Sequence, residues 1–119
     1  MSVADVRSKL DHLTDEQREC VDTCLAAAEA CEWCADECAG KGEEMGECIR
    51  LCRDVADLAS LHARFMVRDS DYAGDLAAVC ADACEACADE CETHDHDHCQ
   101  TCATVVRECA KSCRNTASV

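Results

Sequence analysis

Fifteen of the 119 residues are cysteine, and their sulfur atoms give this chain its most distinctive chemistry. The cysteines recur at intervals of three, four and seven residues, which return side chains to one face of an α-helix. Thiolates bind soft metal ions, chiefly Cu(I), with zinc and iron–sulfur clusters as competitors. The spacing therefore predicts helices that each carry a metal-binding face. The candidate ligands are Cys20, Cys24, Cys31, Cys34, Cys38, Cys48, Cys52, Cys80, Cys84, Cys87, Cys91, Cys99, Cys102, Cys109 and Cys113.

The spacing also discriminates among the metals. Two sulfurs that hold one ion in a linear arrangement lie about 4.5 Å apart if each bond is near 2.3 Å, and cysteines four residues apart on a helix can reach this. A structural zinc site is a closed tetrahedron fixed by turns. Iron–sulfur ligands usually come from a compact loop that ends in proline, and the chain has no proline. The pattern favours several Cu(I) ions per chain. The pairs are Cys20/Cys24, Cys34/Cys38, Cys48/Cys52, Cys80/Cys84, Cys87/Cys91 and Cys109/Cys113.

Other uses of the thiols fit the sequence less well than metal binding. A disulfide framework is disfavoured because the cysteine count is odd, and because Cβ atoms within a helix lie about 5–6 Å apart against the roughly 3.8 Å that a disulfide needs. Three C-x-x-C pairs, which begin at Cys31, Cys84 and Cys99, have the spacing of thiol redox enzymes. No βαβ pattern accompanies them. We expect a protein that is not an enzyme, with a thiol redox enzyme or a zinc or iron–sulfur bundle as alternatives.

Histidine and methionine supply further candidate ligands. His62 and Met66 fall on the same helical stripe as Cys48 and Cys52. His62 fits either a metal ligand or a hydrogen-bonded core histidine, and Met66 fits either a ligand or core packing. His94 and His98 extend the stripe that ends at Cys91, and we expect these two to bind or acquire metal.

The elements that position these side chains are helices. Proline is absent and glycine occurs only four times, so the long segments contain nothing that stops a helix. Thr14 and Gln17 form a predicted capping box. Short connections make neighbouring helices antiparallel, which predicts an all-α, up-and-down four-helix bundle with a short additional N-terminal helix. The predicted helices are about 2–13, then 15–38, 43–68, 72–93 and a last one to about 115, with the bundle at about 15–115.

Composition limits the function classes. A chain of 12.9 kDa predicts one domain over residues 1–119. A formal charge of −15 disfavours nucleic acid and anionic membrane as partners, because both are recognised through Lys and Arg. No apolar run approaches the roughly 20 residues of a membrane span. Residues 1–7 do not resemble a signal peptide, so we expect a cytoplasmic protein.

Three motifs carry a resemblance to a known family. They are Cys80-x₃-Cys84-x₂-Cys87-x₃-Cys91, His98-Cys99-Gln100-x-Cys102 and Cys109-x₃-Cys113. Over about residues 15 to 115 the chain resembles the cytosolic branch of the bacterial copper storage proteins. The resemblance implies a bundle whose core thiolates store many Cu(I) ions, usually as a homotetramer, with His and Met ligands near a mouth.

Carried onto this chain, the resemblance makes all fifteen cysteines ligands for Cu(I), with His62 and Met66 as mouth ligands. The third helix departs from the pattern because it holds only two cysteines. At Val55 and Ala59 it lacks sulfur. Copper ions held in a row along the core would lose ligands at that level, so we expect a reduced capacity there.

Overall fold

The computed structural model describes residues 1–118, which contain helices and no strand. Helices α2 to α5 form an antiparallel bundle in which α2 packs against α3 and α5, and α4 packs against the same two neighbours. This confirms the predicted fold class. The helices are α1 (Val3–Ser8), α2 (Asp15–Cys38), α3 (Gly46–Val67), α4 (Ala73–Glu92) and α5 (Asp97–Thr116), and a 3-10 turn (Glu43–Met45) precedes α3.

Local sequence signals set the ends of α2. The hydroxyl of Thr14 accepts a hydrogen bond from the backbone N–H of Gln17, and the Gln17 side chain accepts one from the N–H of Thr14. This is the predicted capping box, and it satisfies two N–H groups that have no partner inside the helix. At the other end, Gly40 and Gly42 adopt φ values of +83° and +117°, which glycine tolerates without strain. The chain therefore reverses before α3.

The N-terminal helix is shorter than predicted. Ser2 and Asp5 form a capping box at its start, but α1 ends at Ser8 and not near residue 13. The guanidinium of Arg18 donates hydrogen bonds to the backbone carbonyls of Arg7 and Leu10. The Leu10 carbonyl thus has a side-chain partner on α2, and the Arg7 carbonyl has one in addition to the N–H of Leu10. The apolar spacing that suggested a longer helix instead includes Leu13, a partly buried residue that packs against the core.

The core of the bundle is built from small side chains. Cysteine and alanine supply most of the buried positions, and the largest apolar members are Met45, Met66, Val21, Val55 and Val106. Small side chains let the helices approach closely and bring thiols on opposite helices within reach of one another. No helix in residues 1–118 is long and apolar enough to cross a bilayer.

Candidate metal centre

All fifteen cysteines are free thiols with no solvent-exposed surface. Each of the four bundle helices directs its cysteine stripe to the bundle axis, as the helical period predicts. Hydrogen bonds and close approaches divide these sulfurs into two groups along the axis. The division was not predicted from the sequence.

The first group, called the nine-thiol group, occupies the half of the bundle next to the α2–α3 turn. The Sγ atoms of Cys38 and Cys99 lie 3.8 Å apart, and those of Cys48 and Cys91 lie 3.4 Å apart. Up-and-down stacking of the four long helices predicts that Cys38, Cys48, Cys91 and Cys99 lie at one level, and these two pairs agree with it. The members of the group are Cys31, Cys34, Cys38, Cys48, Cys52, Cys87, Cys91, Cys99 and Cys102.

Cys52 lies in the middle of the nine-thiol group. Its Sγ is 3.7 Å from that of Cys87 and 3.9 Å from that of Cys102. Cys102 Sγ is in turn 3.6 Å from Cys31 Sγ. These four sulfurs lie within 4.8 Å of one another, so one ion placed among them would have four possible ligands.

The second group, called the six-thiol group, lies at the other end of the bundle. Cys24 Sγ is 3.9 Å from Cys20 Sγ, 4.0 Å from Cys113 Sγ and 3.7 Å from Cys109 Sγ. Cys80 joins Cys24, Cys109 and Cys113 in a cluster whose ligand atoms lie within 4.8 Å of one another. The members of the group are Cys20, Cys24, Cys80, Cys84, Cys109 and Cys113.

The sulfur separations suit more than one coordination geometry. The closest sulfurs lie 3.4 to 4.0 Å apart, and the ligand atoms of each cluster lie within 4.8 Å of one another, a range that includes the roughly 4.5 Å of a linear two-sulfur site. Three sulfurs around one ion, with bonds near 2.3 Å, lie about 4.0 Å from one another. The core therefore offers both two-sulfur and three-sulfur sites, and Cys24, Cys113, Cys34, Cys48 and Cys52 each belong to two of the clusters.

His62 belongs to the six-thiol group. Its Nδ1 lies 3.4 Å from Cys24 Sγ, 3.5 Å from Cys113 Sγ and 3.9 Å from Cys20 Sγ. The ring is completely buried, and its Nε2 has no hydrogen-bond partner. One ring nitrogen thus faces three sulfurs, which is the position of a fourth ligand. His62 lies inside the core and not on an open rim, and Met66 is only 2% exposed.

His98 lies at the opposite end, against the nine-thiol group. Its Nε2 is 3.3 Å from Cys38 Sγ, and its ring is stacked on that of His96. The exposed indole of Trp33 meets the His98 ring edge-on, with centroids 6.1 Å apart. His98 is the second residue of α5, so it reaches the core from that helix and not as an extension of α4.

His94 follows the end of α4 and does not continue the α4 stripe. Its Nε2 pairs with the carboxylate of Glu90 at 2.8 Å. The side chain is partly exposed. His94 is therefore placed at the histidine-rich turn outside the thiol core, and His12, at the other end, is an exposed residue bonded to the carbonyl of Val67.

The pKa values of the buried thiols and of His62 are shifted in different directions. Hydrogen bonding with Cys113 lowers the pKa of Cys20, while burial raises the pKa of Cys99 to about 11. Burial alone would lower the pKa of His62, but interactions with the thiols of Cys20 and Cys80 outweigh it and raise the pKa to about 9. The metal-free six-thiol group thus favours an imidazolium beside thiolate, and a bound cation would displace that proton.

Comparisons with known proteins agree with this geometry. The family model described as copper storage protein matches residues 13–118. The cysteine-rich protein YhjQ of Bacillus subtilis (strain 168) is 41% identical over 101 residues, covering 83% of this chain and 94% of that protein.

Solved structures of copper storage proteins share the bundle. The Cu(I)-bound copper storage protein BsCsp3 aligns with a TM-score of 0.82 at 39% identity, over 87% of this chain and all of that one. A copper storage protein of Streptomyces lividans, loaded with 10 copper equivalents, gives a TM-score of 0.81 at 33% identity, over 86% of this chain and 83% of that one.

Proposed function

The chain belongs to the copper storage protein family and stores multiple Cu(I) ions among its cysteine clusters, and on this basis we propose which residues hold the metal. All fifteen cysteines act as thiolate ligands, joined by His62 in the six-thiol group and by His98 in the nine-thiol group. Residues 1–119 act as one domain. Most ions contact about three sulfurs, and most sulfurs bridge two ions.

The observation that supports this assignment is the packing of buried sulfurs at separations that suit shared thiolates. Cysteine that served only as core would contribute less apolar burial than leucine and would be open to oxidation. If each of the fifteen thiolates bridges two ions, and each ion has two or three ligands, the capacity is about 10 to 15 ions.

We also propose that the protein has no catalytic turnover. A redox thiol acts as a thiolate that its substrate can reach, and every cysteine of this chain is completely buried. The three C-x-x-C pairs begin at Cys31, Cys84 and Cys99, and each is part of a thiol stripe. The burial of these pairs supports storage over a thiol redox enzyme.

The peripheral ligands have a separate proposed role. His98, which is 7% exposed, contacts Cys38 and is flanked by exposed Trp33 and His96. His94 beside Glu90 lies at the same turn. We assign His98 to the transfer of incoming ions and His94 to their acquisition. Met66, with its soft thioether near the end of α3, is assigned to the six-thiol end.

Localisation and assembly are proposed from the relatives. The similar protein of Streptomyces lividans is described as a cytosolic copper storage protein, and on this basis we place this chain in the cytoplasm.

We also propose a homotetramer. An exposed apolar groove between α2 and α3 supports self-association: it is lined by Val21, Leu25, Ala63 and Val67 and bordered by Arg64 and Arg68. Arginines at an apolar edge suit a second copy of a chain whose net charge is −15.

Anaerobic titration of the reduced protein with Cu(I), in competition with a chromophoric Cu(I) chelator, tests the proposal. We expect saturation at about 10 to 15 ions per chain. Saturation at one or two ions would contradict storage.

Light scattering of the wild type and of Leu25→Asp tests the assembly, because a charge in the groove should weaken the contact between copies and reduce the molar mass. A wild-type monomer would contradict the tetramer.

A further inference from the structure

Apolar residues separate the two thiol groups. On α2 the thiol stripe is interrupted at Ala27, and on α5 it is interrupted at Val106. On α3 it is interrupted at Val55 and Ala59, and all four side chains are completely buried. These four residues are called the waist.

Contacts on either side place the waist residues at one level. Cys31 and Cys52 both meet Cys102 on one side. On the other side, Cys24 meets both His62 and Cys109. The waist residues lie between these positions on α2, α3 and α5, so they form one apolar layer across the core.

Sulfur–sulfur hydrogen bonds lie on one side or the other of this layer. Among residues 1–118, every thiol–thiol hydrogen bond joins members of the same group. Each cluster that could hold an ion also falls within one group. Valine and alanine offer no ligand to a soft cation, and an unligated ion in an apolar layer is strongly disfavoured.

Helix α4 differs from the other three. Its stripe runs from Cys80 through Cys84 and Cys87 to Cys91 with no apolar residue in place of a thiol. Cys80 clusters with Cys24 and Cys109 of the six-thiol group, and buried Cys84 lies one helical turn from Cys80 in the direction of the waist. Cys87 contacts Cys52 and Cys91 of the nine-thiol group. Residues three apart on a helix have Cβ atoms about 5–6 Å apart, so Cys84 and Cys87 are adjacent thiols across the waist.

We propose that the waist divides the copper store into two compartments and that Cys84 passes Cu(I) between them. The proposal rests on the proposed role of the thiols as Cu(I) ligands. In the transfer, a bond from the ion to Cys87 forms as the bond to Cys84 breaks. The proton that Cys87 gives up passes to Cys84, and copper stays Cu(I), so neither oxidant nor reductant is needed.

The chain contains one spectroscopic probe for each compartment. Trp33 is the only tryptophan, and its ring contacts His98 beside the nine-thiol group. Its fluorescence should report filling of that compartment. The ring resonances of His62, observed in protein with isotope-labelled histidine, should report filling of the six-thiol compartment because Nδ1 faces Cys24 and Cys113.

A matched pair of variants on α5 tests the division. Cys102→Ala and Cys109→Ala remove thiols from opposite sides of Val106. In anaerobic Cu(I) titrations, Cys102→Ala should change the Trp33 curve and leave the His62 curve unaltered, and Cys109→Ala should do the reverse. If each variant shifts both curves alike, the division is wrong. Total capacity is measured in the same titration: a high capacity with coupled curves overturns only the compartments, whereas one or two ions per chain overturns storage.

Removal kinetics test the role of Cys84. With a chelator in excess, we expect copper to leave in two phases. Their amplitudes should have a ratio of about 2:3, which is the ratio of thiols in the six-thiol group to those in the nine-thiol group. Cys84→Ala should slow the phase seen at His62 by about tenfold or more, which is the effect of a barrier raised by about 1.4 kcal/mol. Cys80→Ala also removes a ligand of the six-thiol group, but one turn further from the waist, so it should slow that phase less than Cys84→Ala does, because the thiol at the waist stays in place.

Equal His62-phase rates in Cys84→Ala and Cys80→Ala would overturn transfer through Cys84. Circular dichroism of each apo variant checks that the bundle is intact. Cys84→Ser replaces Cys84→Ala in this test if the alanine variant does not fold, because serine keeps the side-chain size while replacing sulfur with a poor ligand for Cu(I).

Val55→Cys places a thiol in the waist on α3 and should bring the Trp33 and His62 titration curves together. Separate curves in that variant would also count against the compartments.

Discussion

The Nε2 atom of His98 lies 3.3 Å from the sulfur of Cys38. Cys38 is the last residue of α2 and His98 is the second residue of α5, so this contact joins the α4–α5 turn to the thiol core. The thiols themselves are completely buried, while His98 retains 7% of its surface and is flanked by exposed His96 and Trp33. An ion bound by His98 would need only one ligand exchange to reach Cys38.

The first prediction concerns entry. His98→Ala should slow Cu(I) uptake by about tenfold and leave the final capacity nearly unchanged, because imidazole is an exchangeable ligand at the end of the thiol group. Stopped-flow fluorescence of Trp33 measures the rate. The matched control is the double variant His62→Ala/Met66→Leu at the opposite end. If the control is slowed and His98→Ala is not, ions enter at His62 and Met66, as the family resemblance implied.

The second prediction concerns shared thiolates. Cys34 and Cys38 have sulfurs 4.0 Å apart, and each also belongs to a cluster with thiols of other helices. Replacing both with Ala should reduce capacity by more than one ion, since neighbouring ions lose a bridging ligand. Metal-to-protein ratios after anaerobic loading and desalting give the capacity. A loss of a single ion, with helix content unchanged, would mean that the sites are independent.

The third prediction concerns stability. An ion that binds only the folded protein stabilises it, by about 2.7 kcal/mol when the free ligand is at 100 times its Kd. For a domain of this size the melting temperature should rise by about 10 °C or more. Anaerobic thermal unfolding of apo and loaded protein, followed by circular dichroism, measures the change. Equal melting temperatures would contradict binding within the folded core.

The fourth prediction concerns alkaline pH. Burial raises the pKa of Cys99 to about 11, and hydrogen bonds with other cysteines raise those of Cys31 and Cys84. The folded state therefore keeps protons that the unfolded state releases above about pH 9. The stabilisation is present below pH 9 and is lost as pH rises towards 11, because the unfolded chain then binds fewer protons.

The melting temperature of the apo protein should therefore fall between pH 9 and pH 11, and that of the loaded protein should fall much less, because its sulfurs carry metal in place of protons. Melting curves at matched ionic strength, recorded without oxygen, provide the test. Parallel curves for both forms would mean that the thiols do not govern the alkaline transition.

The helical period predicted which residues face the core, but it did not predict which sulfurs meet. Each stripe follows from spacing along one helix, and the capping box at Thr14 and Gln17 identified the start of α2. Contacts across the bundle, such as Cys24 with Cys109, depend on the rotation and offset of two helices, which no local pattern specifies. The predicted level of Cys38, Cys48, Cys91 and Cys99 was right because short connections restrict those offsets.

Side chains at helix ends were harder to predict. Extending the α4 stripe placed His94 and His98 together, but α4 ends at Glu92 and the period has no meaning beyond that residue. His98 consequently reaches Cys38 from α5, and His94 pairs with Glu90. The length of α1 was also predicted wrongly. Arg18 donates a hydrogen bond to the Leu10 carbonyl, and apolar spacing does not reveal such a contact between separate segments.

The waist also has a consequence for how the chain reaches its native state. Val55, Ala59 and Val106 form an apolar layer whose packing needs no metal, unlike zinc fingers, which are unfolded without their ion. They are completely buried on α3 and α5 at the centre of the bundle and so can act as a folding nucleus in newly made apo protein. Amide hydrogen exchange in the apo form should then be slowest around Val55 and Val106, and the bundle would be assembled before the first ion arrives.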